Sequence, residues 1–409
     1  MNSNQIGIIG AGPAGVFAAI SIRDFYNADV TIFDWQEPLT TLLPTGGGRC
    51  NFSYFETDMK TFAGYYPRGS KFLLSVFSRF DMNDTVDYFE KIGIKSYVQA
   101  DNRIFPISDS AKTTAQILLQ RGNLLGVKFI KQRVSHLFYD GENFVVSTCD
   151  KDYKFSKLIL ATGGKNFKLA KSLGHKIITP TFTLAPLEIA EKQYYELSGL
   201  TLKDVWVKVF FEGKKLLNIA GDMLFTRNSI SGPLVFKISS ICAYEKYSPE
   251  SPLELQINVA GQNEKYIDNY VSDFKTDNPR ISIRNAFQAF CPKSLFDMIL
   301  KNCNIDGSKQ IAQMNNKEKS LILENLTSLK IHVTQKVLNA GIVTAGGVDT
   351  DEINPATMQS KIVPNLYFAG EMINVDGFTG GFNLQNCWST ARVAAMNILK
   401  EDEKKQTND

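Results

Sequence analysis

The feature that most constrains this chain lies in its first 34 residues. An apolar run, Ile6-Gly7-Ile8-Ile9, leads straight into Gly10-Ala11-Gly12-Pro13-Ala14-Gly15, and Val16-Phe17-Ala18-Ala19-Ile20 follows. A buried strand, a glycine turn and an apolar helix form the context in which G-x-G-x-x-G carries meaning. Gly10 allows the tight turn, Gly12 lets a pyrophosphate approach the backbone, and Gly15 lets the helix pack closely on the strand. The first-turn N–H groups of that helix, Ala14 among them, have no internal partners and carry partial positive charge. Pro13 suits this turn because it has no N–H to leave unpaired. A second strand, Val30-Thr31-Ile32-Phe33, ends at Asp34, 24 residues after Gly10. A carboxylate there accepts hydrogen bonds from ribose hydroxyls and repels a 2′-phosphate, so the site suits NAD or FAD and not NADP.

Three further glycine stretches separate those two cofactors. Thr45-Gly46-Gly47-Gly48-Arg49-Cys50-Asn51 follows soon after Asp34. Ordering three glycines is costly in backbone entropy and makes sense where backbone must approach a ligand. In this loop Arg49 is placed to neutralise a phosphate and Asn51 to offer amide hydrogen bonds to a flavin ring. Lys157-Leu158-Ile159-Leu160 is a strand ending in Ala161-Thr162-Gly163-Gly164, preceded by a predicted hairpin over Val134–Tyr139 and Phe144–Thr148 turning at Asp140-Gly141. Val134, at the head of that hairpin, is counted with the cofactor-binding residues. Near the C-terminus, Leu366-Tyr367-Phe368-Ala369 ends in Gly370-Glu371, with Glu371 placed for a ribityl hydroxyl. Gly377 to Gln385 then feeds a helix predicted to begin near Leu384, with Gly381, Phe382 and Asn383 at its mouth. A helix N-terminus there suits the partial negative charge of a flavin N1/O2 edge. Halves of one cofactor site thus lie at opposite ends of the chain. NAD would not need the C-terminal half; FAD, with its ribityl chain, would.

Composition narrows the class. Of 409 residues 44% are hydrophobic and 21% charged, ordinary for a folded protein of two or three domains. Lys plus Arg is 45 against 42 Asp plus Glu, too even for a dedicated nucleic-acid binder. Six cysteines without a C-x-x-C pair predict reduced thiols, and three scattered histidines argue against structural zinc. The N-terminus lacks the basic region of a secretory signal, and no run is long enough to span a membrane, so the reading is cytoplasmic. Cys50 neighbours a glycine loop, but with no partner thiol close in sequence it reads as a packed small residue. His332 reads as a structural histidine in a strand. The charged tail from Lys400 to Asp409 reads as frayed.

Five ordered motifs carry a resemblance that spans almost the whole chain. They are Gly46 to Asn51; Arg103-Ile104-Phe105-Pro106-Ile107-Ser108-Asp109-Ser110-Ala111; Leu224-Phe225-Thr226-Arg227-Asn228-Ser229-Ile230-Ser231-Gly232-Pro233; Thr344-Ala345-Gly346-Gly347-Val348 with Glu352-Ile353-Asn354 and Thr357-Met358-Gln359-Ser360-Lys361; and Gly377 to Gln385. In these the chain resembles the HI0933-like flavoproteins, bacterial NAD(P)/FAD-dependent oxidoreductases that include the BaiN and YhiN types and the aminoacetone oxidases. It departs from them at Arg227-Asn228, where the family usually has His, at Phe382 in place of Tyr, and in the last helix, which lacks the usual Gly. The resemblance implies a glutathione-reductase-type Rossmann FAD-binding domain interrupted by an inserted β-rich domain and a small helical domain. The boundaries read as 1–190 with 340–409, 191–262 with 328–339, and 263–327.

Hydride transfer through flavin N5 is the expected chemistry, on a small-molecule substrate, with no catalytic residue assignable beyond the flavin. Only one dinucleotide fingerprint is present, so NAD(P)H, if used, docks transiently at the flavin. Three functions stay open: an NAD(P)H-dependent reductase of a small organic acceptor, an amine oxidase of the aminoacetone type releasing peroxide, and a flavin-binding regulatory or RNA-associated protein. Oligomeric state is not legible. Replacing Asp34 with Ala is expected to weaken FAD through loss of ribose hydrogen bonds, each worth about 1.5–3 kcal/mol to a charged acceptor. An unchanged FAD dissociation constant on titration would refute that role.

Overall fold

The computed structural model describes residues 5–337 and 340–400; the N-terminal four residues and the tail beyond Lys400 lie outside the described residues. The chain packs as two compact units, Met1–Phe182 with Val343–Asp409, and Thr183–Ile342.

The first unit is built on five parallel strands in the order Leu366–Phe368, Lys157–Leu160, Gln5–Ile9, Asp29–Asp34 and Lys128–Lys131. A parallel sheet is covered on both faces, so its strands read as unbroken apolar runs rather than alternating ones. Ile6, Ile8, Leu158, Ile159 and Leu160 are accordingly buried. Helix Pro13–Phe25 packs against the last helix, Phe382–Asn397, with the rings of Phe17 and Trp388 meeting edge-on at 5.4 Å. Register is what makes the site. Ile9 pairs with Leu160 on one side and Phe33 on the other, and Leu160 pairs with Phe368. The four strands therefore end level, and Gly10, Asp34, Ala161 and Ala369 emerge at one edge. The hairpin is found over His136–Tyr139 and Phe144–Ser147, extended by a third strand, Asp152–Phe155.

The second unit is a closed six-stranded barrel: Leu187–Ile189, Ser229–Ser231, Lys214–Phe225, Thr201–Phe211, Leu253–Asn258 and Leu329–Lys336. In Thr201–Phe211 the alternation puts Val205, Val207 and Val209 inside and Trp206 and Lys208 outside. The break in that alternation after Leu202 coincides with a register shift between Leu202 and Val205. His332 sits in the last barrel strand, paired in register with Glu254, and its Nδ1 is 2.6 Å from Glu191 Oε1.

Two sequence boundaries change. Strand Leu187–Ile189 belongs to the barrel, because it pairs with both Ser229–Ser231 and Leu329–Lys336, so a boundary at 190 falls too late. The segment 263–327, expected as a domain of its own, shares one apolar cluster with the barrel: Ile267, Leu295, Phe296 and Leu326 pack with Leu255, Ile257 and Ile331. Its helices Glu264–Asp277, Lys293–Asn302 and Asn316–Thr327 bury their apolar stripes there rather than on one another alone.

A polar lock ties the Lys361 region of the first unit to its core. Ser360 Oγ accepts the N–H groups of Ile362 (3.1 Å) and Val363 (2.8 Å). Its proton is thereby directed at His175 Nε2, 3.0 Å away, and His175 Nδ1–H donates to Glu352 Oε2 at 2.9 Å. The three side chains have the order of a hydrolytic triad, but both serine lone pairs are spent on backbone donors, so this is a structural device. Burial holds the His175 pKa below the ordinary histidine value, despite the upward pull of Glu352. The folded state therefore resists protonation there. Its contribution to stability is complete above about pH 6.5, the unfolded value, and falls as pH drops below it, by at most about 1.4 kcal/mol per pH unit. Urea unfolding of wild type and His175→Gln at pH 7.5 and 5.5 checks this. The stability gap between the two should shrink at the lower pH, and a gap independent of pH would show that His175 is not the titrating group.

Candidate functional site

The level strand ends of the first unit open onto a cavity of about 630 Å³. That volume is within the range of small-molecule and cofactor pockets. Gly10, Gly12, Pro13 and Ala14 line one wall, and Asp34 and Val134 another; Ala161, Thr162 and Gly163 line a third with Glu371. Sequence positions more than three hundred residues apart thus face one space.

The fingerprint glycines divide by cause. A Cβ on Gly10 would lie 2.2 Å from the Ala161 carbonyl oxygen, at φ +107°, and a Cβ on Gly15 would lie 1.8 Å from the Gly10 carbonyl oxygen. Both are glycine because the protein's own backbone fills the place of a side chain. Gly12 differs. Its φ is −74°, open to any residue, and a Cβ there meets only Thr41 Oγ1 at 3.4 Å. Nothing in the fold requires glycine at Gly12; a ligand lying on this backbone would.

Two carboxylates flank the cavity. Asp34 accepts the Ala11 N–H at 2.7 Å and the Gln36 N–H at 3.0 Å, one on each oxygen, which leaves a lone pair on both for a ligand hydroxyl. Glu371 accepts the Thr344 N–H at 2.6 Å. Burial pushes its carboxyl above the ordinary range, against the pull of the Thr344 and Gly164 N–H groups. Asp34 ends its own strand, whereas the Glu371 carboxylate lies beside Gly163, past the end of Lys157–Leu160, so the two stand over different strands with Gln5–Ile9 between them. A single ribose cannot reach both; an extended dinucleotide can.

The glycine loop and the last helix supply a second element. Gly46 and Gly47 are left-handed, at φ 58° and 68°, and Cys50 at φ 65° turns the chain back toward strand Ser53–Tyr54. A Cβ on Gly47 or Gly48 would meet nothing, so this backbone faces open space. Asn51 is buried, and its Oδ1 has no hydrogen-bond partner. That oxygen lies 2.8 Å from where a Gly381 Cβ would be, at the N-terminus of helix Phe382–Asn397. An orphan buried amide beside an uncapped helix N-terminus is a place for a group carrying both N–H and partial negative charge, as a flavin pyrimidine ring does. The residues present therefore fit FAD.

Other expected residues are placed differently. Arg49 does not line the cavity; its guanidinium lies 4.2 Å over the Phe105 ring and 3.9 Å from Asp109, which offer it a stacking face and a counter-charge on the outer side of the loop. The Cys50 thiol is fully buried and pushed up to about 12 by that burial, so it is a packed group, not a thiolate. Phe382 is buried in an aromatic cluster, stacked on Tyr65 at 4.6 Å and 21°. Asn383 staples its own loop, accepting the Gly377 N–H and donating to the Gly377 carbonyl, both at 2.9 Å. Leu384 is buried, and Gly370 is left-handed at φ +71° with its α-carbon packed against Ala14 and Cys387. These residues shape the loops instead of facing the cavity.

Several lining residues carry no motif signal. Trp35, Thr41, Arg133, Lys165, Lys168 and Cys387 face the cavity only because of the fold. The Cys387 thiol is pushed up to about 12 by burial, and all six cysteines are free. Arg68 pairs with the fully buried Asp376 through both carboxylate oxygens and so pins the loop that leads to Gly377. Only long-range packing reveals that pair.

The family description "HI0933-like protein Rossmann domain" matches residues 4–397. The chain is 28% identical over 409 residues to a 3-dehydro-bile acid delta(4,6)-reductase of Clostridium scindens, covering 96% of this chain and 98% of the relative. It is 26% identical over 404 residues to a ribosomal RNA dihydrouridine synthase of Escherichia coli, covering 96% and 97%. Among solved structures it shares its fold with a 3-ketosteroid delta1-dehydrogenase from Sterolibacterium denitrificans, at a TM-score of 0.52 and 11% identity, over 97% of this chain and 100% of that one.

The contrast between glycines gives a test. Gly12→Val should be soluble with a melting temperature near wild type yet purify without yellow colour, whereas Gly15→Ala should lose stability by several kcal/mol through backbone collision. A Gly12→Val protein with full FAD occupancy would refute the close-approach role.

Proposed function

The chain belongs to the HI0933-like family of FAD-dependent oxidoreductases, and we propose that it is a reductase that saturates a carbon–carbon double bond conjugated with a carbonyl group. The observation that carries this reading is the chemistry shared by its full-length relatives. A bile acid delta(4,6)-reductase and a dihydrouridine synthase differ in substrate, but each product has lost a double bond beside a carbonyl. When bound, FAD supplies hydride transfer at N5. The chain's own residues supply position and electrostatics. Asp34 and Glu371, which both line the cavity, would hold hydroxyls of the bound cofactor. The helix N-terminus at Gly381 would favour partial negative charge on the bound group, and the unpartnered Asn51 Oδ1 would accept an N–H from it. The fingerprint at Gly10–Gly15 is the sole motif of its kind in the chain, so NAD(P)H acts in this reading as a transient reductant at the flavin and does not occupy a domain of its own.

The preferred substrate class is a small organic enone. A second reading, a uracil in RNA, is favoured by the two relatives that carry the dihydrouridine synthase name. Against it stands the even charge, 45 basic residues to 42 acidic. Amine oxidation has no specific observation in its favour.

Anaerobic visible spectroscopy tests the reading. NADH or NADPH should bleach the yellow protein, and a 3-keto-4-ene steroid or a simpler enone should restore the colour. Restoration by an RNA fragment with dihydrouridine formed, and not by enones, would favour the second reading. A flavin that ignores both nicotinamides and is bleached by an amine, with peroxide formed in air, would overturn the proposal.

A further inference from the structure

We infer that Trp35 and Arg133 form the slot for the purine base of the dinucleotide, with the Trp35 indole as its stacking face; the inference rests on the FAD reading above. Trp35 directly follows Asp34 at the end of its strand. The neighbouring edge strand pairs Asp34 with Lys131, and Arg133 comes two residues beyond that pair. Both side chains line the same cavity as Asp34 and Val134. The indole is 55% exposed, although an aromatic ring of this size ordinarily buries most of its surface. The Arg133 guanidinium carbon stands 5.2 Å from its ring centre.

Connectivity then places the base. The ribose that Asp34 holds carries its pyrophosphate toward Gly12 and the centre of the sheet. Its glycosidic bond must leave on the other side, toward the edge strand, and that side is formed by Trp35, Arg133 and Val134. A base sandwiched between two planes needs two contacts of roughly 3.5 Å, about 7 Å in all. The 5.2 Å between guanidinium and indole is shorter, so Arg133 now stands on the face that the purine takes, and it moves aside when the base enters. A planar cation over an indole and a purine over an indole use the same π surface. The slot beyond Asp34 is defined by one exposed aromatic and the cation beside it.

The test uses the full chain stripped of FAD, with wild type, Trp35→Ala and Trp35→Phe checked for equal melting temperature. FAD dissociation constants are measured by titration, and ADP is used as competitor because it carries the purine half without the flavin. Trp35→Ala should weaken FAD roughly tenfold to a hundredfold, raise the ADP inhibition constant by a similar factor, and be largely rescued in Trp35→Phe. FAD binding by Trp35→Ala within twofold of wild type overturns the inference, as does a loss that leaves ADP competition unchanged or is equal in Trp35→Phe. A wild-type chain that takes up no FAD overturns the FAD reading, and this inference with it.

Discussion

Two backbone collisions that glycine alone avoids hold the first unit together: Gly10 against the Ala161 carbonyl and Gly15 against the Gly10 carbonyl. Strand Lys157–Leu160 can lie beside Gln5–Ile9 with their ends level only because Gly10 has no side chain, and helix Pro13–Phe25 can sit down on the turn only because Gly15 has none. Move either backbone outward by a methyl group and the first helix no longer aims its free N–H groups along the strand ends. The cavity, the placing of Asp34 and the return of the chain at Ala161 all follow from that close approach. Gly12 stands between the two without such a constraint, which separates what the fold needs from what a ligand needs.

Charge in the cavity is arranged by backbone more than by side chains. The helix N-terminus at Gly12 presents partial positive charge to the cavity and that at Gly381 to the Asn51 amide beside it, and the carboxylates of Asp34 and Glu371 are held by N–H groups from elsewhere in the chain. Such groups do not reorganise when a ligand arrives, so their orientation is settled before binding. The aromatic cluster around Phe382 and the Arg68–Asp376 pair serve the same end at a distance, fixing the loop whose last residue caps the second helix.

How much of this could be read in sequence depends on the range of the interaction. Strand-glycine-helix with Asp34 was legible because each element is local and its spacing is set by backbone geometry. The pairing of Gly10–Gly15 with Glu371 was legible only through the repetition of one pattern, a short apolar strand ending in glycine. Arg49 illustrates where this fails: its neighbourhood in sequence suggested a phosphate, but Phe105 and Asp109, brought up by a strand and turn more than fifty residues on, set its direction. The side chains of Phe382 and Asn383 are drawn into loop packing by partners that no motif announces. In the second unit the alternation of Thr201–Phe211 was clear, whereas the joining of barrel and helices into one core was not, since a buried stripe does not name what buries it. Leu187–Ile189 is too short to signal a strand without its neighbours.

The position of strand Leu366–Phe368 in the sheet has a consequence for biosynthesis. It is the outermost partner of Lys157–Leu160, and Glu371 follows it directly. A ribosome adding roughly 5–20 residues per second exposes the nucleotide half of the site tens of seconds before the segment that completes it. During that interval the nascent chain presents an unpaired sheet edge and half a binding cleft, while the intervening barrel, whose strands are all contained in Thr183–Ile342, can already close on itself. A chain ending anywhere between Asp34 and Leu366 would carry the fingerprint and the first carboxylate, and would lack the edge strand, Glu371 and the last helix.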